Sequence, residues 1–161
     1  MITYIFILVT FALGLYLMRQ QGRYEAERSS LLGEIKLLFE SLKREIGVLG
    51  RSPELLSHEG ELPVLASYGF FSLLRESGDF GATLAASLPR LPLPTRATAL
   101  LSEYAESFGL ADREGEERAL SHLLDTLSPM LSEEIGDSRT RVRTFRIVTV
   151  SLLLSVAILL I

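Results

Sequence analysis

Two stretches of this chain, residues 2–18 and 147–161, contain no Asp, Glu, Lys or Arg, and between them apolar residues recur three and four positions apart. An uncharged apolar run of this kind predicts a helix that crosses a membrane. At about 1.5 Å per residue the first run reaches roughly 25 Å, slightly short of a hydrocarbon core of about 30 Å. The second reaches roughly 22 Å and draws on Thr144, Phe145 and a snorkelling Arg146 to span. The expected organisation is a transmembrane helix over 1–18, a helical domain over 19–143, and a second transmembrane helix over 144–161. A cleaved secretory signal is the competing reading of the first run. It wants basic residues before the apolar stretch, whereas here only Met1 precedes it and Arg19, Arg23 and Arg28 follow.

The middle reads as amphipathic helices. Over 23–49 the apolar stripe is Leu31, Leu32, Ile35, Leu38, Phe39, Leu42, Ile46 and Leu49, with Glu34, Glu40, Lys43, Arg44 and Glu45 on the other face. No strong breaker separates this stripe from the first run, so the two should be nearly continuous, with Gly22 and Gly33 as weak points, and Gly47 and Gly50 end the stripe. Ser52 and Pro53 open a short helix to about residue 57, and a turn follows over 58–63 with His58 solvated in it. One helix is expected over 63–76 with Val64, Leu65, Tyr68, Phe71 and Leu74 inward. An alanine-rich helix over 80–88 would let a neighbour approach closely, and Pro89, Pro92 and Pro94 then make an extended linker. Thr95 caps a fifth helix carrying Leu100, Leu101, Tyr104, Ala105 and Phe108, with Gly109 as its C-terminal cap. Asp112 caps a sixth, whose stripe is Ala119, Leu120, Leu123, Leu124, Leu127, Met130, Leu131 and Ile135. Pro129 should bend or break it, and Gly136 is a further weak point. No alternating strand pattern occurs, so the fold class is all-α.

Composition sharpens this picture. The mean hydropathy of +0.31 is high for a soluble chain, yet all 16 basic and 20 acidic side chains lie within 19–146. Basic residues adjoining a span are retained on the cytoplasmic side. Arg19 and Arg23 after the first run, and Arg139, Arg141, Arg143 and Arg146 before the second, therefore place the middle domain in the cytoplasm and mark the membrane interface. The net charge of -4 argues against nucleic acid as partner. Between residues 103 and 137 acids outnumber bases, and Glu103, Glu106, Asp112, Glu116 and Glu117 form the candidate docking face for a basic partner. Thr10 with Gly14, and Ser151 with Ser155, make small-residue pairs that would pack spans together, with a second copy of the chain among the partners.

The chain has no cysteine, which excludes disulfides and thiolate metal sites and leaves His58 and His122 as nitrogen ligands. It has no glycine-rich phosphate loop. His122 and Asp125 share a helical face beside Ser121, a spacing open to a catalytic reading but read as a surface or rim histidine paired with a carboxylate, since a triad is defined by geometry. No catalytic, cofactor or metal residue is assigned.

The stretch ALLSEYAESFGLADREGEERAL, the basic RTRVRTFR run before the terminal apolar segment, FESLKREI near the front and the SPELL segment resemble stage III sporulation protein AB, a membrane component of the channel apparatus of endospore-forming bacteria. The resemblance covers nearly the whole chain. It departs in lacking a tryptophan over 81–88, a glutamine near Glu116 and glycines opening the last run. It implies a cytoplasmic helical bundle similar to type II secretion F domains and a non-enzymatic platform without cofactor. The location implied is the mother-cell membrane around the forespore, where the platform would dock a secretion-type ATPase, stage III sporulation protein AA, beside the other channel components. Two other readings share parts of the pattern. One is an F-like platform subunit of another type II secretion or pilus machine, and the other is a small membrane enzyme or signalling protein using His122 and Asp125.

Overall fold

A computed structural model describes the chain over residues 2–46 and 55–160, with side chains over 8–46 and 55–158. Every regular element there is helical: α1 (Ile2–Arg44), α2 (Pro63–Ser67), α3 (Phe70–Ser77), α4 (Phe80–Ser87), α5 (Thr95–Ser107) and α6 (Arg113–Leu160), with short 3-10 segments at Leu55–Glu61 and Leu88–Arg90. The chain forms two compact units, Arg28–Glu134 and Met1–Glu27 with Ile135–Ile161.

In Arg28–Glu134 the stripe expected of the first helix is buried from Leu31 through Ile46. Phe39 stands at the centre of an aromatic cluster, its ring 6.1 Å from Phe80 and 5.7 Å from Tyr104. Phe80 also meets Phe70 at 6.1 Å and Phe108 at 4.9 Å. All four pairs are edge-on, which sets each ring's positive edge against its neighbour's negative face. The alanine-rich α4 packs closely on α5 as its short side chains suggested. A Cβ on Gly81 would lie 2.7 Å from the Ala105 carbonyl oxygen, so only glycine fits. Asp79 caps α4 by accepting from the amides of Gly81 and Ala82.

Several expectations need correcting. The single helix over 63–76 is two, because Gly69 takes a left-handed φ of 82° and turns the chain between α2 and α3. Phe70 is buried in consequence, a core residue the single-helix reading left out. Thr95 is not a cap; Pro94 holds that position and no side chain caps α5. Ala119 is exposed. Helix α6 continues through Pro129 and Gly136 without a break, whereas α1 runs unbroken through Gly22 and Gly33 as the lack of a strong breaker there predicts. Gly47, Leu49, Gly50, Ser52 and Pro53 lie outside the described residues.

Glu34 is also not on a solvated face. It is buried, and its carboxylate accepts from the amides of Val64 at 3.1 Å and Leu65 at 2.8 Å. The first-turn amides of α2 have no partner within their own helix, and the N-cap residue Leu62 offers no side-chain acceptor. Glu34 therefore caps α2 from α1.

In the other unit the two helices run antiparallel. Gly14 faces Leu153 so closely that a Cβ would lie 2.9 Å from Leu153 Cδ1, and Gly22 lies beside Arg146. Glu25 is buried, takes a 2.5 Å hydrogen bond from the Ser138 hydroxyl, and lies 3.9 Å from Arg141 Nε. Among the described residues of this unit only Gly14, Glu25, Ser138 and Leu153 are buried. Apolar side chains instead point outward, Leu8 being 71% exposed, Leu13 57%, Ile147 58% and Ile158 75%. Among the described residues, no helix is long and apolar enough to cross a membrane. Side chains of 2–7 and 159–161, which open the first apolar run and close the second, lie outside the description. The remainder of each run meets charged residues before a span's length has passed.

Two substitutions probe the first unit. Glu34→Ala should lower unfolding stability by about 2–3 kcal/mol, since it strands two amides of α2, and Glu34→Gln by less, since one acceptor remains. Gly81→Ala should cost about 1–3 kcal/mol through overpacking against α5. Urea titration followed by circular dichroism reads both.

Candidate functional site

The acids assigned to a docking face separate into different roles. Glu103 and Glu106 are exposed on α5. Asp112 is exposed but caps α6, its Oδ1 accepting from the Gly115 amide at 2.9 Å, as its position before that helix predicts. Glu117 is half-buried on the first turn of α6. Glu116 leaves the set altogether: it is 7% exposed, accepting from the Tyr104 hydroxyl at 2.9 Å and from the Gly109 amide at 3.2 Å. Its carboxylate thus ties the end of α5 to the start of α6. Burial, and after it the bond to Glu116, push the Tyr104 hydroxyl's pKa far up, so it stays a donor at any ordinary pH. Gly109, at φ 78°, takes the left-handed turn that lets its amide face Glu116.

Beside these acids lies a groove of about 200 Å³ between α5 and α6, floored by Leu100, Tyr104, Ala119 and Leu123 and edged by Glu103 and His122. The groove has an apolar floor and one acid, Glu103, on its rim, which suits an apolar side chain next to a basic one. His122 and Asp125 are both exposed, and no hydrogen bond or ion pair joins them. Among the described residues no group of three or more His, Cys, Asp or Glu could hold a metal ion.

All six interface arginines, Arg19, Arg23, Arg139, Arg141, Arg143 and Arg146, are exposed and belong to the unit of Met1–Glu27 and Ile135–Ile161. There they adjoin the outward apolar side chains, as the order of the sequence requires.

His58 is not a solvated turn residue. Its Nε2 lies 2.8 Å from Glu45 Oε1 and its Nδ1 lies 3.1 Å from Glu61 Oε2. The bond to Glu45, then that to Glu61, raise its pKa against the opposing effect of burial. The histidine fastens the 3-10 segment Leu55–Glu61 to the turn that follows α1. Spacing along the sequence gave no sign of this, because Glu45 and His58 are brought together only by the fold.

Compared with known proteins, the chain matches no family model, no curated protein and no solved structure.

The histidine gives a pH dependence of known sign. Its pKa in the folded chain lies above the ordinary 6.5, so its contribution is complete below pH 6.5 and is lost as pH rises through the folded value. The thermal midpoint should therefore fall as pH rises from about 6.5 through the raised folded value. In His58→Gln that part of the fall should be absent, as read by scanning calorimetry.

Proposed function

We propose that this chain is a non-enzymatic helical platform held at a membrane by its two apolar ends, a component of a channel apparatus of the kind to which stage III sporulation protein AB belongs. The observation that carries the reading is the outward apolar surface of the unit built from Met1–Glu27 and Ile135–Ile161, bounded by exposed arginines. A surface of that kind is costly in water and favourable against acyl chains. Arginines next to it set the cytoplasmic side. On this reading residues 1–18 and 144–161 lie in the mother-cell membrane around the forespore, and the helical domain between them faces the cytoplasm, with a bundle similar to type II secretion F domains.

The platform's task is mechanical: to hold a secretion-type ATPase at the membrane and to transmit position or strain to the channel. The groove between α5 and α6, edged by Glu103, together with the exposed Glu106 on α5, is the favoured docking surface for that ATPase. Asp112 and Glu117 extend its negative field, whereas Glu116 is committed to the fold.

Alkaline carbonate should leave the full chain in the membrane pellet of sporulating cells, and protease added to intact protoplasts should leave the helical domain uncut. Release by carbonate, or digestion from outside, would overturn the reading. The double reversal Glu103→Lys and Glu106→Lys should weaken capture of a secretion-type ATPase by about 1 kcal/mol, roughly fivefold, and lower its salt dependence.

A further inference from the structure

On α1, within the unit that contains Met1–Glu27, a groove of about 420 Å³ is walled by Tyr16, Arg19, Gln20, Arg23, Tyr24 and Glu27. It belongs neither to a core nor to the acidic face. These positions fall three, four and seven apart, so one face of one helix carries them all. Arg19 and Arg23 are exposed, and among the described residues neither meets a carboxylate. Tyr16 is 63% exposed and Tyr24 53%. Uncompensated guanidinium groups one turn apart, bracketed by exposed phenol rings, make an arrangement with no task in the folding of this unit.

We propose that this groove binds the headgroup phosphate of an anionic phospholipid. The proposal rests on the membrane reading above and goes beyond it, replacing a diffuse ring of arginines by one discrete site. Arginine suits phosphate because its planar fork donates two parallel hydrogen bonds. One helical turn is about 5.4 Å, close to the roughly 5–7 Å of a single headgroup layer, so Arg19 and Arg23 span the depth a lipid phosphate occupies. Tyr16 and Tyr24 offer hydroxyl donors on rings that favour the same depth. The outward apolar side chains from Leu8 to Leu17 lie immediately before the groove along α1 and offer a surface to the acyl chains. A free phosphate ion would use only the arginines, whereas a phospholipid is matched along its whole length. Glu27, which has an interaction of its own within the chain, closes the far end and disfavours a second phosphate there.

The test uses the full chain purified in detergent, with bound lipid counted by native mass spectrometry, and the same protein mixed with vesicles and floated after a carbonate wash. The wild type should retain phosphatidylglycerol about tenfold over phosphatidylcholine, in line with charge-assisted hydrogen bonds. Arg19→Gln with Arg23→Gln should abolish that preference, whereas Arg139→Gln with Arg143→Gln, an equal loss of charge outside the groove, should preserve it. Millimolar inorganic phosphate should not displace the lipid. Equal losses in the two double variants, displacement by phosphate, or no preference in the wild type would each overturn the site. A chain that floats without lipid preference refutes the site alone, and a chain that fails to float refutes the membrane reading itself.

Discussion

A helix of five residues has no independent existence in water, and neither have two of eight. The unit Arg28–Glu134 contains three such helices, and charged groups on the two long helices fix one of them, α2, and the ends of two neighbouring elements. Glu34 supplies α2 with the acceptors its own N-cap lacks. Glu116 holds the end of α5 through Tyr104 and Gly109, and Arg113 donates to the Ile46 carbonyl at 3.1 Å where α1 runs out. Each would leave buried polar groups unmet if removed, at a cost of about 1–3 kcal/mol per group. The rings around Phe39 supply the apolar burial, but the carboxylates decide which backbone arrangement that burial can have.

The legible part of the fold was the part written in periodicity. The stripe from Leu31 to Ile46, the cap at Asp112, the turn at Gly109 and the close packing of α4 all follow from spacing or from the conformational range of one residue. What escaped was polar and long-range. Glu34 and Glu116 look solvated by residue type, yet both fall on the apolar rows: Glu34 between Leu31 and Leu38, Glu116 four before Leu120. A charged residue at a stripe position was the available signal, and residue type masked it. The pairing of His58 with Glu45 and Glu61 had no such signal. Pro129 is carried inside α6, where its missing amide costs one backbone hydrogen bond without ending the helix.

The two units solve opposite problems with the same element. Arg28–Glu134 turns most of its large apolar residues inward and buries Glu34 and Glu116 where their carboxylates accept hydrogen bonds, whereas the other unit, among its described residues, buries Glu25 and Ser138 and leaves Leu8, Leu13, Leu15 and Leu17 exposed. That inversion is what a change of solvent along one chain would produce. The proposed docking surface and the proposed lipid groove lie in different units.

The contact of Gly14 with Leu153 joins residues from opposite ends of the polypeptide. During translation the first helix leaves the ribosome long before its counterpart exists, and it stays unpaired until then. Meanwhile the Arg28–Glu134 ion pair, 2.8 Å long, can already bring together the two strands of chain that will leave the finished bundle. Closing the hairpin from there is a local zippering and no longer a search over a long loop. A ribosome that stops before codon 153 would release a bundle able to fold but a leading helix with nothing to pair against.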